Sequence, residues 1–190
     1  MKLFRNLSIR LKLFISFFSI TALLVVVGYL GYKGIDQMYD SANQLYANNL
    51  KSINMLHLIK ENLTETNVQI LNAVVYQDSD HTKEAIQNIK ELTEENESLL
   101  ERYRQQPISD EERERLDEFF ELTELYRASR VESLAYATNG RYEKAIENLP
   151  QIEETKHNME VVLDQLILDN GTYAEEADQQ NDRTYTAIIT

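Results

Sequence analysis

The chain has no cysteine and no tryptophan, only two prolines and five glycines in 190 residues, and few positive charges, 19 Lys and Arg against 32 Asp and Glu. Without cysteine there is no disulfide scaffold, no thiol nucleophile and no thiolate-held metal or iron–sulfur cluster. No glycine lies between residues 35 and 139, which argues against a many-turned β fold and against a glycine-rich phosphate loop. The formal charge is −13, and Lys2, Arg5, Arg10 and Lys12 put +4 into the first 12 residues, so the rest of the chain carries −17. A body of that sign repels DNA, RNA and anionic lipid, and no nucleic-acid partner is expected.

What the chain does have is one long apolar run. From Leu13 to Tyr32 there are 20 residues without a charge, among them Phe14, Phe17, Phe18 and Leu23-Leu24-Val25-Val26-Val27. At about 1.5 Å per residue a helix of this length is roughly 30 Å long, the thickness of bilayer hydrocarbon. A buried soluble helix rarely stays apolar on every face. A cleaved signal peptide would have a shorter core and a small-residue cleavage site after it. Here Tyr29 and Tyr32 stand where an aromatic belt would, and helical periodicity follows directly, so the run is read as an uncleaved signal anchor. The basic start then places the N-terminus in the cytoplasm and the acidic body outside it, by the positive-inside rule. Gly28, Gly31 and Gly34 would suit close packing against a second span.

Beyond the run, Ile35, Met38, Ala42, Leu45, Asn49, Ser52, Leu56, Ile59, Leu63, Thr66, Ile70 and Ala73 recur at steps of three and four, widened by Leu50, Ile53, Leu71 and Val74. This pattern predicts one amphipathic helix of about 40 residues growing out of the anchor. Gln77-Asp78-Ser79-Asp80 is a turn and capping cluster. The second stripe, Ala85, Ile89, Leu92, Asn96, Leu99 and Tyr103, ends before Pro107. Ser109-Asp110-Glu111-Glu112 reads as a capping box. It opens a third helix with Leu116, Phe119, Phe120, Thr123, Tyr126, Val131, Leu134 and Ala137, which Asn139-Gly140 closes. A short piece, Tyr142 to Leu149, precedes a helix restarting at Pro150 with Ile152, Thr155, Met159, Val162, Leu163, Leu166, Ile167, Tyr173 and Ala177. Gly171 weakens that helix by about 1 kcal/mol without ending it. The polar stripe members Asn49, Asn96 and Thr123 are read as rim residues rather than register pins.

Four amphipathic helices with short connections bury their stripes best as antiparallel neighbours. The expected fold is all-α, a transmembrane helix continuing into an up-down-up-down antiparallel four-helix bundle. The expected divisions are a cytoplasmic basic tip (1–12), the first span (13–33), an extracytoplasmic bundle (34–183) and the start of a truncated second span (184–190). The segments 82–89 and 142–149 echo each other at an offset of 60 residues, each just after a turn.

The sum of these parts resembles the N-terminal sensor half of methyl-accepting chemotaxis proteins. Locally, the segments 6–13 (NLSIRLKL), 45–50 (LYANNL) and 139–145 (NGRYEKA) are similar to the corresponding parts of such receptors. The resemblance implies a homodimeric, membrane-embedded receptor. An unknown small molecule or a ligand-binding protein would shift the fourth bundle helix, and a cytoplasmic kinase complex would respond through regions absent from this chain. In amino-acid-sensing members, arginines on the first bundle helix clamp the ligand carboxylate. This chain has only Lys51 and Lys60 there, so that clamp does not carry over. The alternatives are an input domain of a sensor histidine kinase and a ligand-free, signal-anchored structural or adaptor bundle.

No catalytic constellation, metal site or cofactor is expected. His57, His81 and His157 fall in different segments, Asp78-Ser79-Asp80-His81 is explained by capping, and Glu153 and His157 share a solvated face. For a ligand, the candidates are Tyr126, Arg127 and Arg130, guanidiniums beside an aromatic ring that would hold an anion in an otherwise acidic body. The competing reading pairs the arginines with Glu124, Glu132 and neighbouring helices.

Overall fold

The computed structural model describes residues 8–44 and 49–189. They form six helices: α1 (Ile9–Gln44), α2 (Lys51–Val75), α3 (Ser79–Arg104), α4 (Asp110–Thr138), α5 (Tyr142–Glu147) and α6 (Leu149–Ile189). The chain divides into two compact units, Met1–Gln44 with Glu176–Thr190, and Leu45–Glu175.

In the first unit, α1 begins inside the basic tip, with Ser8 Oγ accepting from the Leu11 amide at 3.4 Å. Lys2 and Arg5 lie outside the described residues, as does the resemblance segment at 45–48. From Ile9 to Ala42 the helix is long and apolar enough to cross a membrane, and none of its most apolar window is buried. Two of its hydroxyls are satisfied within the helix. The Ser19 hydroxyl donates to the Ile15 carbonyl at 2.8 Å, and the Thr21 hydroxyl donates to that of Phe17 at 3.0 Å. Hydrocarbon demands this internal pairing, because it offers polar groups no water. A side chain added at Gly28 or Gly31 would meet nothing within 4 Å among the described residues. Gly34 is buried, and a pocket beside it includes Gly31 and Thr184.

The second unit is a bundle of α2, α3, α4 and the first part of α6, with α5 as a short connector. The Thr82 hydroxyl near the start of α3 donates to the Ala73 carbonyl near the end of α2 at 3.2 Å, and further along Asn62 Nδ2 donates to Asn96 Oδ1 at 3.0 Å. Residue numbers rise on one helix as they fall on the other, so the pair is antiparallel. The same holds for α2 and α6, where Asn67 donates to Glu153 at 2.8 Å and Lys60 pairs with Asp164. Helix α4 lies beside both α3 and α6, through Arg127–Glu97 at 3.0 Å and Arg115–Asp169 at 2.7 Å. The order around the bundle is therefore α2, α3, α4, α6.

The ends follow local chemistry. The Asp78 carboxylate accepts from the Asp80 amide at 2.9 Å to start α3. Ser109 and Glu112 close a full capping box at α4, at 3.1 and 2.9 Å. After α4, Gly140 sits at φ +69°, and the Arg141 amide reaches back to the Tyr136 carbonyl at 2.8 Å and the Gly140 amide to that of Ala137 at 3.0 Å. That is the left-handed cap in which a glycine avoids side-chain crowding. Helix α6 runs through Gly171 without a break.

Most stripe residues are core: Leu56, Ile59, Ile70, Leu99, Phe119, Ile152, Leu163 and Leu166 are almost fully buried. Leu50, Leu71, Val131 and Tyr173 are exposed, a correction to the stripes read from spacing. Val131 follows the inward Arg130 and faces out, while the small residues Ser129 and Ser133 take the buried positions beside it. Spacing alone favours the apolar residue, but close approach of α5 favours the small one: the Ser133 hydroxyl donates to the Ala145 carbonyl at 2.9 Å. The 60-residue echo extends to burial, with Ala85 and Ala145 both buried and Ile86 and Ile146 both exposed. Whether α1 and α2 form the single 40-residue helix expected falls on residues 45–48, outside those described.

Candidate functional site

All four bundle helices contribute to a cavity of about 50 Å³ in the interior of the second unit. Tyr126 and Arg130 stand four residues apart on α4 and so share its inward face. The guanidinium of Arg130 lies 5.7 Å from the centroid of the Tyr126 ring, and Arg130 Nη1 donates to Thr93 Oγ1 on α3 at 3.3 Å. Tyr126 is only 3% exposed. Its hydroxyl and the Arg130 Nε are both buried and have no hydrogen-bond partner among the described residues. A buried donor left in this state costs about 1–3 kcal/mol.

Arg127 is one step round the helix and behaves differently. Its guanidinium pairs with Glu97 at 3.0 Å and with Glu124 at 3.4 Å, at the boundary with α3. The sequence offered two readings of the arginines, and the structure divides them. Arg127 is engaged in ion pairs, whereas Arg130 meets a ring and a hydroxyl. Glu132 takes no arginine and instead accepts from Tyr136 at 3.1 Å.

Burial pushes the Tyr126 hydroxyl well above its ordinary pKa of 10.0, with Glu153 and Glu160 adding to the rise and Arg130 opposing it. It therefore remains a donor at neutral pH. Burial also lowers the Arg130 guanidinium from its ordinary value, although guanidinium stays charged under any ordinary condition.

The remaining walls were not read as site residues from the sequence. Thr66 comes from α2, Thr93 and Asn96 from α3, Thr123 from α4 and Met159 from α6. Asn96 is half-buried and bonded across to Asn62, so it ties two helices together as well as edging the core. The available signal was that α2, α3 and α4 each place a polar residue in an apolar stripe at the same height. Height is legible only once the antiparallel register is known.

A family model described as a four helix bundle sensory module for signal transduction matches residues 6–185. The chain belongs to that family. Modules of this kind are found in methyl-accepting chemotaxis receptors. No curated protein and no solved structure gave a significant match. The sensory module is non-catalytic by family.

Within this sensory module the histidines are scattered and exposed. His81 Nδ1 lies 3.0 Å from the Asp78 carboxylate that caps α3, and Glu153 is engaged by Asn67 and Lys156 rather than by His157. Another interior polar group of the module is a cluster that sequence reasoning missed. The Tyr103 hydroxyl donates to Glu112 Oε1 at 3.1 Å, and Asn170 Nδ2 donates to the same carboxylate at 2.8 Å. All three residues are buried. The cluster joins α3, α4 and α6 near the α3–α4 turn, and its bonds are satisfied internally. Its donors are bonded within the cluster, whereas the Tyr126 hydroxyl and Arg130 Nε have no partner among the described residues.

Proposed function

We propose that this sensory module is the extracytoplasmic input region of a bacterial transmembrane chemoreceptor. The observation that carries this reading is an apolar helix of membrane-spanning length, with its apolar side chains exposed, at the head of a chain whose sensory-family match extends over residues 6–185. In this reading residues 13–33 cross the membrane with the 1–12 tip in the cytoplasm, residues 34–183 lie outside, and residues 184–190 enter a second span. Two copies associate, and ligand binding displaces α6. Helix α6 runs from Leu149 to Ile189 and is the element proposed to carry the displacement. A cytoplasmic signalling domain and its kinase complex, neither of them in this chain, take up the displacement.

The absence of cysteine makes the topology directly testable. Single cysteines placed at the exposed positions Ser8 and Ser98 report on either side of the proposed span. A membrane-impermeant maleimide added to intact cells is expected to label S98C at once and S8C only after permeabilisation. Labelling of S8C in intact cells, or protection of S98C, would contradict the arrangement.

A further inference from the structure

We propose that the interior cavity of the bundle is the receptor's own ligand site, and that it takes a short-chain monocarboxylate held by Tyr126 and Arg130. The inference deepens the receptor reading, on which it rests for the purpose of binding but not for the geometry.

Three observations select the chemistry. The first is the donor set. The Tyr126 hydroxyl and Arg130 Nε are buried and have no hydrogen-bond partner among the described residues, and both residues line the same cavity, so two donors lie together at the wall of one small volume. A carboxylate is the acceptor that two converging donors suit, and a guanidinium binds it through parallel hydrogen bonds. The second is charge. Glu97 and Glu124 both pair with Arg127 at the cavity edge, and among the described residues no carboxylate forms an ion pair with Arg130, which leaves its charge for the ligand to match. A dianion would bring an uncompensated charge into a domain that already carries a large negative excess. The third is size and wall. About 50 Å³ is room for about four water-sized groups. Leu63, Leu100, Phe119 and Met159 supply apolar surface on the side away from the donors. Acetate, with four non-hydrogen atoms, matches the volume, and propionate adds one methyl group on the apolar side.

The site lies within one chain and draws on all four helices of the bundle, including α6 through Met159. Occupying it pushes on the same helix that is proposed to carry the signal.

The test uses the full chain in lipid nanodiscs and follows its thermal unfolding midpoint against sodium propionate, acetate, nitrate, citrate and chloride at matched ionic strength. Propionate and acetate are expected to raise the midpoint in a saturable way, and nitrate, citrate and chloride are not. Tyr126→Phe keeps the ring and removes only an unpartnered hydroxyl, so it is expected to fold like the parent and to weaken propionate binding about tenfold, the loss of one hydrogen bond to a charged group. Arg130→Gln is expected to abolish binding, and Arg113→Gln, at an exposed position of α4, to leave it within about twofold. Circular dichroism checks each variant, and Tyr126→Phe keeps the test decisive if Arg130→Gln fails to fold. No saturable effect of propionate, an equal effect of nitrate, or full binding by folded Tyr126→Phe would overturn the proposal. Loss of binding together with the expected maleimide pattern would overturn this site alone. Binding with an inverted maleimide pattern would leave the site standing and overturn the membrane orientation.

Discussion

Glu112 uses its two oxygens for two purposes: Oε2 accepts from the Ser109 amide at 2.9 Å, while Oε1 accepts from Tyr103 and Asn170. The first role was legible in the sequence, because a capping box is a four-residue pattern. The second was not, because it depends on which residues of α3 and α6 arrive at the same place. Glu112→Ala removes half of the capping box and leaves the buried Tyr103 hydroxyl without an acceptor, while Asn170 Nδ2 keeps the Leu166 carbonyl at 2.9 Å. We expect a loss of about 3 kcal/mol, measured by urea unfolding. Asp78 gives a pH signature at the other cap. The Asp80 amide first, and then the His81 side chain, hold its carboxyl below its ordinary pKa of 3.8. A carboxyl depressed in the folded state contributes stability that is fully present above its unfolded value and is lost as pH falls through the folded one. Asp78→Ala is therefore expected to remove part of the acid dependence of unfolding below pH 3.8, and to leave the dependence above that pH unchanged. Acid unfolding curves of the two proteins check this. Residue type and spacing put Tyr126, Arg127 and Arg130 forward together as candidates, and did not separate Arg127 from the other two. A rotation of one residue on α4 separates a surface ion pair from a buried donor, and only packing decides which arginine is which.

At the scale of the element, stops and starts were the most legible features, since they are written in Asp78, Ser109, Asn139-Gly140 and Pro107. The stripes were less so. Steps of three and four place a residue near the inward face but do not settle the edges, where Leu71 and Val131 turned out. Two helix positions remain suboptimal and can be improved. Gln77, just after α2, adopts φ 51°, which a side chain resists and glycine does not. Gln77→Gly is expected to raise stability by roughly 1 kcal/mol, seen as a higher urea midpoint with an unchanged slope. Gly171 lies inside α6, and a side chain there would meet nothing within 4 Å. Gly171→Ala is expected to stabilise the chain by about 0.5–1 kcal/mol. Because α6 is the helix proposed to move, the same change is expected to alter the response of a receptor as well as its stability. Hydrogen exchange of the amides around residue 171 checks the local part of the claim.

For the whole molecule, the sequence yielded the class of fold because its two strongest signals act over long distances. An apolar run of membrane length and four amphipathic stripes with short connections admit few arrangements. The negative charge that sums over the chain belongs to the part beyond the basic tip, and at the proposed site it would favour a small monoanion over larger charge. The candidate site was only partly legible, since three of its four walls come from residues whose polarity looks incidental until the helices are set in register.

The central claim is that a ligand held inside the bundle is converted into a signal passed along α6. It is tested most directly by joining residues 1–190 to the cytoplasmic signalling half of a characterised chemoreceptor and measuring kinase activity in membranes during a propionate titration. Kinase activity is expected to change saturably over the concentrations that raise the unfolding midpoint, with the response shifted about tenfold in Tyr126→Phe. Kinase activity that stays flat across that range in the parent hybrid would contradict the claim.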